Sequence, residues 1–215
     1  MHQKRNSIPK TIPITRKGTK YIVIPRGSKQ NSVPLLIVLR DILQMAKNRK
    51  EVKKALHDNL IEVNKRIVKD EKLGMSLFDT LTLARANKNY RLIIGPNGKF
   101  DLKEISDKEA RQKTAKVMNK RMLKGRNIQL NLSDGRNYLS DIKCQTQDSV
   151  LIDFKEKKIS GSIPLKENGK AFVVNGKHAG EEGIIMNISK EKKMVSLKRG
   201  KESSEVPIKY IIMVE

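Results

Sequence analysis

Asn48-Arg49-Lys50-Glu51-Val52-Lys53-Lys54-Ala55-Leu56, inside the longer stretch Ser32 to Val68, carries cations on one side of a helical repeat and apolar residues on the other. Asn48 reads as an N-cap, and Glu51 three residues later completes a reciprocal capping arrangement. Upstream, Ser32 is a predicted N-cap with Pro34 tolerated in the first turn. Leu35, Leu36, Val38, Leu39, Ile42, Leu43 and Ala46 then form a broad apolar face at helical spacing, a core helix with no chemistry to assign. Downstream, Leu60 to Val63 reads as a strand, Asn64-Lys65 as a turn and Ile67-Val68 as its return; Asn64 tolerates a positive backbone angle better than most residues. Leu77, Leu81 and Leu83 close the unit. A helix pair with a hairpin and a basic face is what a small RNA-docking module needs.

The rest of the composition points the same way. The 215 residues carry a formal net charge of +23 and a pI near 10.1, a self-repulsion that a polyanionic partner relieves. Nucleic acid is the leading partner, an anionic membrane the second. With 37% hydrophobic and 4% aromatic residues, each core must be small and mostly aliphatic. The longest apolar run, Val33 to Leu39, is far short of the roughly 18 residues of a spanning helix. Met1 to Arg5 is basic but lacks the apolar run of a signal peptide, so the chain is expected to be soluble and cytosolic. The single Cys144 excludes an internal disulfide and a multi-cysteine zinc site.

Residues 1–31 hold Lys4, Arg5, Lys10, Arg16, Lys17, Lys20, Arg26 and Lys29 without one acid, and prolines and glycines forbid a continuous helix. Apart from a short strand at Tyr21 to Ile24, the segment is expected to be an arm that orders along phosphates. From Tyr90 the pattern turns to β: Arg91 to Ile94, a turn at Gly95-Pro96-Asn97-Gly98, and a return through Phe100 and Leu102. Ser106-Asp107-Lys108-Glu109 forms a capping box that starts a helix at Asp107. Period counting lets that helix reach Leu123, although Thr114, Val117 and Met118 also suit a strand. Between Glu109 and Asp134 the basic run from Arg111 to Arg126 is uninterrupted by acid. Strands follow at Ile128 to Leu132, turning at Asp134-Gly135, and at Val150 to Ile152. From about Ile163 the chain reads as five short strands with hairpin signals at Asn168-Gly169 and Asn175-Gly176, which favour a small closed barrel.

No catalytic constellation accompanies these elements. His2, His57 and His178 lack ligand-like spacing to one another or to Cys144. Gly95 to Phe100 lacks the glycine spacer and the Ser/Thr of a phosphate-binding loop. There is no Gly-x-Ser-x-Gly elbow, and the acids are scattered among lysines. The reading is of a binding protein, not an enzyme, with no cofactor and no metal.

Three stretches together resemble the archaeal and eukaryotic small-subunit ribosomal protein four family, the "S-four-e" type. Ser32-Val33-Pro34-Leu35-Leu36-Ile37-Val38-Leu39-Arg40 and the basic helix and hairpin after it, with Asp70, Gly74-Met75 and Asp79, resemble the family's alpha-L RNA-binding module. Ser106 to Ala110 with Lys113 and Lys116-Val117, then Leu130 to Asn137, resemble its central domain. Phe172 to Ile185 is similar to a KOW motif, which implies an SH3-like barrel. The likeness runs from about Ile8 to the C-terminus; the chain departs from it by having no tryptophan near Ile12, Lys65 where the hairpin carries glycine, and Glu181 and Glu182 where arginine is frequent. The family pattern also implies that the helix after Ser106 is short and leads into a strand.

The resemblance implies an α+β fold of a basic N-terminal arm (1–31), an alpha-L type helix-pair and hairpin module (32–86), a β-rich central domain (87–162) and a C-terminal KOW SH3-like β-barrel (163–215). It implies a cytoplasmic structural constituent of the small ribosomal subunit that binds ribosomal RNA and neighbouring ribosomal proteins, with no membrane and no small-molecule substrate. A transcription-associated KOW factor and an RNA-modification accessory protein are the alternatives. Phosphate contacts are expected from Lys4, Arg5, Arg16, Lys17, Lys20 and Arg26 on the arm, and from Lys47, Arg49, Lys50, Lys53, Lys54, Lys65 and Arg66 on the module. Arg111, Lys113, Lys116, Lys120, Arg121, Arg136 and Lys177 extend that footprint. Aromatic residues are too few for base stacking to be the main mode.

Overall fold

The computed structural model describes residues 2–140, 142–189, 191–200 and 202–214. The fold is α+β and dominated by short antiparallel strands, divided into two compact units: Met1–Ile94 with Lys99–Arg111, and Gly95–Gly98 with Gln112–Glu215.

In the first unit the arm is folded. β1 (His2–Lys4) pairs antiparallel with β2 (Tyr21–Val23), setting Lys4 opposite Tyr21 and His2 opposite Val23. The Arg5 guanidinium donates to the carbonyls of Thr15 and Thr19 and to Thr19 Oγ1, pinning the return of the chain. Ile12 and Ile22 are buried. The expected phosphate-ordered tail is thus already ordered by one internal arginine and two aliphatic anchors.

Ser32 caps nothing: it lies in β3 (Ser32–Pro34), which pairs with β6 (Gly74–Ser76), after β4 (Ile61–Val63) and β5 (Arg66–Ile67) in chain order. The first helix, α1 (Leu35–Ile37), runs on as a wider π turn over Val38–Ile42 and ends well before Ala46, with Gln44 at φ 53°. Leu35 to Leu39 are all buried, so apolar residues all round the helix mark a core element rather than an amphipathic face. α2 (Arg49–His57) begins where predicted and buries Val52 and Leu56. Its capping differs from expectation: the Asn48 side chain makes no cap bond, and Glu51 Oε2 accepts instead from the Lys47 N–H at 2.8 Å.

β7 (Thr80–Leu83), β8 (Lys88–Ile94) and β9 (Phe100–Ile105) complete a five-stranded antiparallel sheet ordered β5-β4-β7-β8-β9. Because β7 pairs with β8, the division expected between 86 and 87 falls inside one sheet. The hairpin tip has both Asn64 (φ 52°) and Lys65 (φ 57°) in the left-handed region, the twist-matched turn of a two-residue hairpin. Asn64 is buried; its amide donates to Asp79 at 2.8 Å and accepts from the Thr80 N–H at 3.0 Å. The capping box yields only one 3-10 turn, Glu109–Arg111.

The second unit opens with β10 (Gln112–Met122), a strand where a helix to Leu123 was one option. β11 (Ile128–Leu132), β12 (Asn137–Leu139), β13 (Ser149–Asp153) and β14 (Lys158–Ile163) join it in a sheet ordered β12-β11-β10-β13-β14. The first half of β10 pairs with β13 and the second with β11, with a register shift between Val117 and Asn119. Ala115, Val117, Leu130, Leu132, Val150 and Ile152 pack its core. The last five strands are β15 (Lys170–Val173), β16 (Glu182–Ser189), β17 (Met194–Arg199), β18 (Glu202–Pro207) and β19 (Ile211–Met213), ordered β18-β17-β16-β15-β19. Asn175-Gly176 does not join two strands tightly; it lies in the longer loop 174–181, and β18 carried no apolar signal in the sequence.

A lysine at a left-handed position costs about 1 kcal/mol relative to glycine. Replacing Lys65 by Gly removes that strain and a 3.3 Å bond to Thr82 Oγ1. With that bond worth about 0.5 kcal/mol, the expected net gain is at most about 0.5 kcal/mol, read as a higher urea midpoint with an unchanged slope.

Candidate nucleic-acid interface

Folding of the arm gathers cations that are far apart in sequence. The pairing of β1 with β2 and the Arg5 clasp make Lys4, Arg5, Arg16, Lys17 and Lys20 line one hollow, together with Asn6, Gly18 and Thr19. Among the described residues, no acidic side chain lines it. Arg5 is half-buried and structural, so its guanidinium shapes the hollow while the four other cations are exposed. Arg26 is exposed and sits 3.4 Å from Asp70.

α2 presents Lys50, Lys53 and Lys54, all exposed, with exposed Lys47 just before it. Arg49 is also exposed but is engaged in an ion pair. Its Nε donates to Glu71 Oε1 at 2.9 Å and its Nη2 to the same oxygen, an ion pair whose carboxylate side chain is 7% exposed. The hydrogen bond from Arg49 holds the Glu71 carboxyl below the usual carboxylate range against burial, helped by the charges of Arg49, Lys53 and Lys72. Arg49 is therefore a strut for the helix start. At the hairpin tip Arg66 is exposed and Lys65 half-buried.

In the second unit the structure separates exposed cations from internal ones. Arg111, of the first unit, and Lys120, Arg121 and Lys177 are exposed, Arg136 is half-exposed, and the Arg126 side chain lies outside the described residues. Lys113 and Lys116, expected to touch phosphate, are instead buried at 1% and 2% exposure. Lys113 Nζ donates to Asp134 Oδ2 at 2.8 Å. Burial works to raise the Asp134 pKa, but the charge and hydrogen bond of Lys113, with the N–H and charge of Arg136, outweigh it and hold the carboxyl low. Lys116 Nζ donates to the carbonyls of Ile208 and Ile211, the latter at 2.8 Å, and burial pushes its pKa down to about 8. The alternation that would have exposed one of the two lysines fails because β10 is covered on both faces from Lys113 to Val117. In the loop 174–181, Glu181 pairs with Arg199 at 2.9 Å and with the His178 ring at 3.1 Å.

The remaining chemistry is sparse. Burial pushes the Cys144 thiol up, away from the reactive thiolate. Among the described residues no group of three His, Cys, Asp or Glu side chains could hold a metal ion, and no helix is long and apolar enough to cross a membrane. Sequence reasoning gave His2, Tyr21 and Lys72 no part in binding. They line a second hollow with Ile22, Val23 and Arg49, and the signal available was an aromatic residue at the head of a strand inside an acid-free segment.

Comparison with known proteins identifies what carries this surface. Residues 86–159 match the model of ribosomal family S4e. The chain is 38% identical over 190 residues to small ribosomal subunit protein eS4 of Methanocella arvoryzae, covering 87% of this chain and 80% of the relative. It is 34% identical over 193 residues to the eS4 protein of Nanoarchaeum equitans, covering 88% and 82%. The crystal structure of the 30S ribosomal protein S4e from Thermoplasma acidophilum superposes with a TM-score of 0.75 at 25% identity, covering 86% of this chain and 96% of that one.

The buried Lys116 makes stability depend on pH with a definite sign. Its folded pKa, about 8, lies below its ordinary value of 10.5. Between those values the unfolded chain holds a proton the folded chain has released, so stability rises with pH across that window. Relative to Lys116→Met, the wild type should gain ~3 kcal/mol from pH 8 to 10.5. Urea unfolding at stepped pH measures the gain, and parallel curves for the two proteins would show that the buried amine stays charged.

Proposed function

The chain belongs to ribosomal family S4e, and from that premise we propose that it holds ribosomal RNA through exposed lysines and arginines of the folded arm, α2 and the hairpin tip. It is a structural constituent of the small ribosomal subunit, working in the cytoplasm beside neighbouring subunit proteins, and it is not an enzyme. The observation that carries the family reading is identity of 38% to an eS4 protein along 87% of the chain.

Double-helical RNA hides base edges in a deep, narrow groove, so its recognition rests on phosphates, 2′-hydroxyls and shape. Point charges on adaptable stems suit that task, and Lys4, Arg16, Lys17, Lys20, Lys47, Lys50, Lys53, Lys54 and Arg66 are exposed. Arg26, Arg111, Lys120, Arg121 and Lys177 add exposed charge beyond them, while Lys65 and Arg136 contribute at their half-exposed positions. Lys113 and Lys116 serve the surface by fixing it from inside, and Arg5 and Arg49 by bracing it at the surface itself. The helix and hairpin of residues 32–86 act as an alpha-L type module that shares its sheet with β8 and β9, and the sheet β12-β11-β10-β13-β14 acts as the central domain. Residues 163–215 form a KOW SH3-like barrel. What supports the barrel is that β15, the first of its strands, pairs with both the second and the last, and that a 3-10 turn, Ile208–Tyr210, precedes the last.

Replacing Lys50, Lys53 and Lys54 together by Gln leaves the buried face of α2 intact and should weaken binding to small-subunit RNA without changing the unfolding midpoint. The slope of log affinity against log salt should fall by as much as ~2 to 3 if each lysine neutralises one phosphate. An unchanged slope would move the contact off α2. Cosedimentation with small subunits at low salt and release at high salt tests the assignment as a whole; copurification with RNA polymerase would favour the transcription-factor reading.

A further inference from the structure

Tyr21 is an oddity in a chain with 4% aromatic residues: it is 46% exposed on a strand. It is not isolated. The His2 ring meets it at 4.4 Å between centroids and 65° between planes, an edge-to-face pair, and Lys20 Nζ lies 5.5 Å from its centroid. Directly cross-strand partners share a face of the ribbon, which puts Lys4 beside Tyr21 as well. The hollow beside this pair is lined by His2, Tyr21, Ile22 and Val23 of the ribbon together with Arg49 and Lys72. The ribbon residues of the lining are mostly aromatic and aliphatic, and the other two are cationic.

We propose that this hollow takes one unstacked nucleobase of an RNA strand, while the neighbouring hollow lined by Lys4, Arg16, Lys17 and Lys20 takes the phosphates that flank it. The inference rests on the RNA-binding reading and deepens it, from phosphate contact along helices to capture of a single unpaired nucleotide. A nucleotide has the two properties this lining asks for: a flat π face and an anionic backbone. Lys20 joins the two sites, since it lies by the Tyr21 ring and also lines the acid-free hollow. Both are held before any ligand arrives. Arg5 clasps the ribbon through Thr15 and Thr19, and Glu71 fixes the Arg49 guanidinium, so little ordering cost remains for binding. Stacking on an aromatic side chain accepts any base, so the site reads that a nucleotide is unpaired rather than which one it is.

The test uses the full chain and a short single-stranded RNA carrying 2-aminopurine, the same RNA with abasic nucleotides in place of its bases, and a fully paired duplex of equal charge. The base-bearing strand should bind about ten-fold more tightly than the abasic strand, with its 2-aminopurine fluorescence quenched. Tyr21→Leu, which keeps apolar bulk on the strand, should abolish both the preference and the quenching, and Tyr21→Phe should keep them. Lys4→Gln with Lys17→Gln should weaken base-bearing and abasic strands alike. Equal affinity of the wild type for base-bearing and abasic strands would reduce the site to phosphate contact and overturn the proposal, with no variant needed. The proposal falls equally if Tyr21→Leu folds with an unchanged melt and retains the preference. Failure of all three RNAs to bind at low salt would overturn the RNA-binding reading beneath it, a different result from loss of base preference.

Discussion

The scarcity of carboxylates governs this molecule. With 23 acids against 46 lysines and arginines, where each acid goes decides what the surface presents. Several are spent inside. Asp79 accepts from the Asn64 amide at 2.8 Å and from the Ser76 N–H at 2.7 Å, locking the hairpin tip to the turn before β7. Asp148 accepts from the N–H groups of Gln145 and Leu165. Asp134 and Glu71 each hold a cation, Lys113 and Arg49. A carboxylate withdrawn from water is costly unless charge or hydrogen bonds compensate it, and each of these has such a partner. The arrangement solves a folding problem and leaves much of the exposed cationic surface without acids beside it. Glu71, Asp79, Asp134 and Asp148 are withdrawn in this way, while the other described acids stay exposed or half-exposed among the cations.

Local patterns of the sequence made much of the fold legible, and the misses have physical causes. The α2 start at Arg49, the Asn64-Lys65 turn, β8 with β9, β11, β13 and several of the last strands follow apolar periodicity bounded by turn residues. The long helix option after Ser106 fails because a capping box specifies only a first turn. Thr114 and Val117 favour a strand, and pairing with β13 on one side and β11 on the other decides it. Ser32 looked like a cap because Ser before Pro is a common helix start, yet its backbone is taken by the ladder with β6. Strand β18, Glu-Ser-Ser-Glu-Val-Pro, has a single buried residue among its described side chains and forms because β17 offers it a ladder. Nothing local encodes that.

The candidate surface was legible as a list of cations and illegible as a geometry. Charge in sequence does not say which lysine faces water. Lys113, Lys116 and Lys120 look alike on paper, and only the last is exposed. Lys116 ends against the carbonyls of Ile208 and Ile211, more than ninety residues away in sequence. Arg49 likewise meets a carboxylate, Glu71, that lies twenty-two residues on. Such pairings are tertiary facts, and they divide the basic residues into those that shape the surface and those that constitute it.

Side-chain chemistry accounts for two of the shaping residues, although Lys113 and Lys116 are also internal and Arg16, Arg66 and Arg121 are exposed. Arg5 and Arg49 use the rigid guanidinium fork, Arg5 on backbone carbonyls and Arg49 on a carboxylate, where several donors in fixed directions secure a position. The lysines of α2 and of the arm remain outside as flexible point charges, which can follow a phosphate backbone whose spacing varies with RNA shape. A surface made only of such lysines would bind RNA with little preference for orientation. Rigid features set among them are what confer one: the Tyr21–His2 pair, the Arg49 strut and the left-handed turn at Asn64-Lys65 each fix a point while the charges around it adapt. In the proposed mode of binding, charge supplies most of the attraction and its dependence on salt, and those few fixed points set how the protein sits on its RNA.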